Sequence, residues 1–213
     1  MIYIESFEFG AFAENTYVLY DDTNKGIIID PGCMEPYEEQ QLKAFIDMKG
    51  IQIEKIVNTH CHIDHIFGNY FAKTTFEVPL YSPDGERELL ERGAMQAQMW
   101  GMQGFQEVEA DHYLPQEGTL TFGDSSLKIL FVPGHSPGHL AFYSEAQSFL
   151  IGGDVLFHGS IGRTDLPGGD HQTLLNSIQT QFYVLPDNTR VYCGHGPTTT
   201  IGKEKVSNPF VKG

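Results

Sequence analysis

The segment His60-Cys61-His62-Ile63-Asp64-His65 puts three imidazoles and a carboxylate within six residues, the nitrogen and oxygen donors that bind divalent transition ions. The chain has nine histidines, enough for some to gather on a surface loop by chance. The flank argues against chance. Ile53 to Thr59 has the β-branched content of a short strand, so the cluster begins where a strand ends, a position at which α/β proteins build ligand sites. Three later apolar segments end in the same device: Pro133-Gly134-His135, Gly152-Gly153-Asp154 and Cys193-Gly194-His195. A glycine beside each donor permits a tight turn and close approach. One histidine would mean little; the same device at four strand ends implies a metal centre, with enough donors for two ions.

Several elements are needed to carry these donors. Thr16 to Tyr20 and Gly26 to Ile29 flank the turn Asp21-Asp22-Thr23-Asn24 and predict a hairpin, with a sharp exit at Asp30-Pro31-Gly32. Between Tyr37 and Lys49, apolar residues at Leu42, Phe45, Ile46 and Met48 predict an amphipathic helix stopped by Gly50. Ile66, Phe67, Tyr70 and Phe71 predict a second helix with Asp64 and His65 near its start. Later strands are predicted at Leu127 to Val132, Leu140 to Tyr143, Phe149 to Ile151 and Arg190 to Cys193, with a helix from Thr173 to Phe182. Interleaved strands and helices plus hairpins indicate an α/β fold with mixed sheets. No linker or low-complexity tract divides the chain, so residues 1–213 are expected to form one domain.

Composition narrows the function. Thirteen basic against 28 acidic residues give a formal charge of −15, which opposes attraction to nucleic acid and to anionic membranes. Three cysteines without a CxxC pair indicate neither a disulfide framework nor a zinc ribbon. With no basic leader and no apolar run long enough to span a bilayer, the reading is a cytoplasmic protein acting on a small molecule. A homodimer is left open.

The residues His60, His62, Asp64, His65, His135, Asp154 and His195 stand in the order of the metallo-β-lactamase superfamily, and the chain resembles it over nearly its whole length. Pro133-Gly134-His135-Ser136-Pro137-Gly138, Gly162-Arg163-Thr164-Asp165 and Gly194-His195-Gly196-Pro197-Thr198-Thr199 resemble the glyoxalase II (hydroxyacylglutathione hydrolase) group, particularly its short bacterial members. The resemblance implies a four-layer αββα sandwich with two mixed β-sheets. It implies two divalent ions, zinc before iron or manganese. His60, His62 and His135 would hold one, and Asp64, His65 and His195 the other. Asp154 would bridge them, which makes Asp64 and Asp154 the carboxylates at the reacting centre. Asp30 resembles a residue that orients a ligand imidazole. Arg163 either pairs with Asp165 or meets a substrate carboxylate.

A hydroxide shared by the two ions would attack a thioester such as S-lactoylglutathione, releasing hydroxy acid and thiol. Longer glyoxalase II enzymes add a helical glutathione-binding domain; this chain runs 18 residues past His195, and no such domain is expected. The apolar stretch from Pro83 to Phe105 reads as a core or dimer-packing helix in preference to a substrate lid. Cys61 alternates with its histidine neighbours and is expected to face away from the ions. His112, His139, His158 and His171 read as surface or supporting residues. Two other functions are weighed: a persulfide dioxygenase with a single iron on His60, His135 and Asp154, and a non-catalytic module that uses metal only for stability.

Overall fold

The computed structural model describes residues 1–213, and the chain divides into two compact units. The first is Met1–Leu114 with Thr121–Ser125, and the second is Pro115–Leu120 with Ser126–Gly213.

The first unit is built on a sheet whose strands lie in sequence order: β1 (Ile2–Phe9), β2 (Glu14–Asp21), β3 (Lys25–Ile29), β4 (Gln52–Val57), β5 (Leu80–Pro83) and β6 (His112–Leu114). Pairing is antiparallel from β1 to β3 and parallel from β3 to β6. The expected hairpin is β2–β3, with Asn24 in the left-handed region at its turn (φ 58°). β3 is a run of fully buried isoleucines, Ile27 to Ile29, as suits a parallel strand covered on both faces.

The predicted helix is α1 (Pro36–Lys49). It opens with a capping box between Glu35 and Glu38 and ends at Gly50 in the left-handed conformation. Leu42 and Ile46 enter the core with Phe7, Val18 and Ile28. Met48, read from spacing as part of the apolar face, is 73% exposed.

The helix expected after His65 is broken into α2 (Ile63–Ile66) and α3 (Asn69–Phe76). The break has a physical cause at Gly68. Its N–H donates to the Pro31 carbonyl at 2.7 Å, and a Cβ there would lie 2.4 Å from the Cys33 sulfur. The stretch after β5 is helical, with one 3₁₀ turn (Asp84–Glu86), α4 (Arg87–Glu91) and α5 (Gly93–Met99). Leu90 and Ala97 bury against Cys61, Ile63, Ile66 and Phe67, with Phe105 and Met102 packed alongside. This is core packing, although Met95, Met99 and Trp100 remain exposed.

The second sheet has the order β14-β13-β10-β9-β8-β7. Its strands are β7 (Gly118–Phe122), β8 (Ser125–Phe131), β9 (Leu140–Ser144), β10 (Phe149–Gly153), β13 (Arg190–Cys193) and β14 (Thr199–Thr200), and β11 (Leu156–Phe157) with β12 (Ser160–Ile161) forms a separate small hairpin. β8–β9 and β9–β10 are antiparallel, whereas β10–β13 is parallel. The predicted helix of this half begins two residues early, as α6 (His171–Ser177), because the Asp170 side chain caps it by accepting from Thr173 N–H; the run finishes as a π-turn over Ile178–Phe182. Leu174, Ile178 and Phe182 bury against Val132, Leu150 and Val191. α7 (Ile201–Ser207) closes the chain. No helix is long and apolar enough to cross a membrane.

Candidate metal centre

In the first unit β3, β4 and β5 run parallel, so their C-terminal ends share one edge of the sheet. β2 runs the other way, which brings its first residue to the same edge. Glu14, Asp30, the 58–65 segment and the turn after β5 therefore gather there. This is the strand-end placement at which α/β sheets bind ligands.

Asp30 is the hub. Its backbone is left-handed (φ 50°) and its side chain is buried at 2% exposure. It accepts from Thr59 N–H at 2.7 Å and from the Thr59 hydroxyl at 2.6 Å, and its Oδ2 lies 3.1 Å from His65 Nδ1. Because the Thr59 hydroxyl donates to Asp30, its oxygen is an acceptor for His60 Nδ1–H, 3.0 Å away. One carboxylate thus sets the tautomer of two imidazoles and leaves Nε2 as the ligand atom in both.

The rings are close, with centroids 4.1 Å apart for His60 and His65 and 4.8 Å for His60 and His62. Asp30, His60 and His65 present donor atoms all within 4.8 Å of one another. Asp64 Oδ2 is 3.9 Å from His65 Nε2 and partly open to solvent. Imidazole nitrogens and carboxylate oxygens so close together are a donor set that one divalent ion can gather.

Beneath this group Glu14 is fully buried, 3.8 Å from His65 Nδ1. Burial pushes its carboxyl well above the usual range and Asp30 adds to the rise, partly offset by His65. Asn58 and Asn69 exchange side-chain hydrogen bonds, and Asn58 Nδ2 also donates to the His65 carbonyl at 3.2 Å. Cys61 faces away from the histidines, as expected, with its sulfur 3.1 Å from Ser82 Oγ. Burial and then the Glu86 charge raise its thiol well above the ordinary value, so it stays protonated and is a poor ligand.

In the second unit β8, β10 and β13 point the same way, so their ends also share an edge. His135, Asp154 and His195 follow those three strands. The side-chain oxygen Asp154 Oδ2 lies 3.5 Å from His135 Nε2 and 3.4 Å from His195 Nε2, longer than a good hydrogen bond and consistent with co-ligands around an ion.

His135 Nδ1–H donates to the Arg163 carbonyl at 2.8 Å, again directing Nε2 to the ligand role. Gly134 takes φ +129°, and a Cβ on it would meet the Leu174 backbone nitrogen at 2.2 Å, so only glycine presents His135 this way. Of the two alternatives for Arg163, the pair with Asp165 is the one present, bidentate at 2.7 and 2.8 Å. It is exposed, and the Arg163 hydrogen bond holds the Asp165 carboxyl down at about 2.

Of the four histidines without an assigned role, His112, His158 and His171 are exposed. His139 is fully buried instead, and its Nε2 accepts from Asp154 N–H at 3.0 Å, fixing the backbone that carries that carboxylate. Sequence reading also passed over Glu14, Thr59 and Glu86. Only Thr59 had a usable signal, adjacency to the first histidine.

Residues 9–195 match the metallo-β-lactamase superfamily profile. The chain belongs to that superfamily. A hydroxyacylglutathione hydrolase named GloC from Haemophilus influenzae is 37% identical over 98% of this chain and 97% of its own. Among solved structures, the BLEG-1 B3 metallo-β-lactamase is similar at TM-score 0.91 and 38% identity, covering 99% of this chain and 100% of its own. TTHA1623, solved in a di-iron-bound form, gives 0.87 and 35% over 97% and 100%. The fold class is accordingly that of the superfamily, an α/β sandwich with two mixed sheets flanked by helices. The His/Asp clusters are consistent with its metal-dependent hydrolases and a two-metal site.

Proposed function

We propose that the protein is a binuclear thioester hydrolase of the glyoxalase II type, cleaving S-lactoylglutathione or a related hydroxyacyl thioester. Residues 1–213 act as one catalytic domain. His60, His62 and His135 would hold one ion, Asp64, His65 and His195 the other, with Asp154 shared. The match that spans 9–195 and so runs through both units supports this. The observation that carries the reading is the ring-nitrogen pattern: Nδ1 of His60, His65 and His135 is engaged by Thr59, Asp30 and the Arg163 carbonyl, so each of these imidazoles keeps Nε2 as its ligand atom.

When bound, two divalent ions lower the pKa of water toward neutrality and so provide a hydroxide nucleophile without a serine or cysteine. The chain's own groups do the rest. Asp30 and Thr59 hold the imidazoles in one tautomer, and His139 fixes Asp154. Asp64, the partly exposed carboxylate of the cluster, and Asp154 are the carboxylates that touch the reacting centre. A thiolate leaving group needs no strong acid. Arg163 pairs with Asp165 through Nε and Nη2, a bidentate contact that a substrate carboxylate would compete for or share.

Zinc is our first assignment, with iron or manganese as occupants of the same donor set; the TTHA1623 relative was solved with two irons. Three buried, unbridged cysteines support a reducing cytoplasm, and a homodimer is compatible with the exposed Met95, Met99 and Trp100. Metal analysis of the purified protein, coupled to assays on S-lactoylglutathione, glutathione persulfide and a β-lactam, tests the proposal. We expect about two metals per chain and thioester cleavage. One iron per chain, with oxygen uptake on persulfide and no thioester cleavage, would establish the dioxygenase chemistry of His60, His135 and Asp154 instead.

A further inference from the structure

The peptides that join Cys61 to its two histidine neighbours are held from outside the cluster. Glu86, fully buried in the 3₁₀ turn after β5, accepts the Cys61 N–H through Oε2 at 2.9 Å. That N–H lies in the peptide plane shared with His60. On the other side Gln96, in α5, donates from Nε2 to the Cys61 carbonyl at 3.0 Å, which lies in the plane shared with His62. The same amide nitrogen donates to the Leu89 carbonyl at 2.8 Å, so Gln96 is itself anchored. The Cys61 sulfur rests on Ser82 Oγ.

We propose that Glu86 and Gln96 are positioning residues for metal binding: they fix the rotation of the two peptides on which His60 and His62 ride and so hold both imidazoles ready for the ion. A carboxylate accepting a buried amide N–H forms a strong, directional bond. Metal ligands whose supports are removed bind more weakly, because the ion must then order them. The helical stretch from 84 to 99 thereby acts on the site through its backbone clamp, whatever it does toward substrate. The inference rests on the proposed metal centre.

Zinc affinity, measured by chelator competition on Glu86→Ala, Glu86→Gln and Gln96→Ala, tests this alongside the thermal midpoints of the metal-free proteins. Leu90→Ala serves as a control that loosens the same packing without touching Cys61. We expect about 10- to 100-fold weaker zinc binding in Glu86→Ala and a smaller loss in Gln96→Ala. Glu86→Gln should recover most of the affinity, since its amide oxygen still accepts the Cys61 N–H. Should Glu86→Ala fail to fold, Gln96→Ala against Leu90→Ala decides. Unchanged affinity in the folded clamp variants, or an equal loss in Leu90→Ala, would overturn the clamp while leaving the metal centre standing. A wild-type protein that retains no zinc, iron or manganese would overturn both.

Discussion

Asp30→Asn is the sharpest perturbation of this site. Asparagine tolerates the left-handed φ of 50° at this position, where alanine would add backbone strain, so the change isolates the side chain. Asp30 takes three bonds in wild type, from Thr59 N–H, the Thr59 hydroxyl and His65 Nδ1–H. The amide oxygen can keep the first. The NH₂ that replaces Oδ2 then confronts two donors. Losing two charge-assisted bonds at a net ~1.5 kcal/mol each destabilises the metal-free protein by about 3 kcal/mol. The tautomers of His60 and His65 are no longer fixed, and metal affinity should fall roughly 10- to 100-fold. Urea unfolding of the metal-free protein reads the first effect and chelator competition the second. An Asp30→Asn protein with stability within about 0.5 kcal/mol of wild type and unaltered zinc affinity would refute the hub reasoning outright.

Asp154→Ala should lose one metal per chain and reduce thioester cleavage on the order of 1000-fold, as read by metal analysis and steady-state kinetics; two retained metals would contradict its shared role. Gly134→Ala should lower stability by about 3 kcal/mol or more, from strain and the clash with Leu174, and a wild-type thermal midpoint would count against the glycine argument. Asp21 supplies a pH prediction. Burial alone would raise its carboxyl, but bonds from Thr23, Ser125 and Asp124 N–H outweigh this and bring it to about 2. A depressed carboxylate stabilises the fold above its unfolded pKa of about 3.9 and loses that contribution as pH falls through the folded value. Wild type should therefore lose on the order of 1 kcal/mol from this group between pH 7 and pH 3. Asp21→Asn should lack that component in urea titrations at the two pH values; identical pH slopes for the two proteins would sink the assignment.

Local chemistry made much of this protein legible before its coordinates. The spacing from His60 to His65, the Gly-His and Gly-Asp strand ends, the β2–β3 hairpin and the Gly50 stop all depend on residues within a few positions of one another, and each appears where expected. Periodicity failed where distant neighbours intervened. The helix after His65 breaks at Gly68 because Pro31 and Cys33 press against it, and Met48 faces solvent although it completes an apolar spacing.

The sequence by itself determined the donor types, the family and the strand ends that carry the donors. Only tertiary structure decided which ring nitrogen of His65 and of His135 is left as the ligand atom, because that choice is made by partners far along the chain. Asp30 reaches His65 across 35 residues and Arg163 reaches His135 across 28. Parallel pairing of β3 with β4 brings Asp30 and His65 to one sheet edge. The buried supports Glu14 and Glu86 were invisible for the same reason, since a polar residue's role is fixed by what surrounds it once water has been excluded; His139, read as surface or supporting, is the support of the Asp154 backbone.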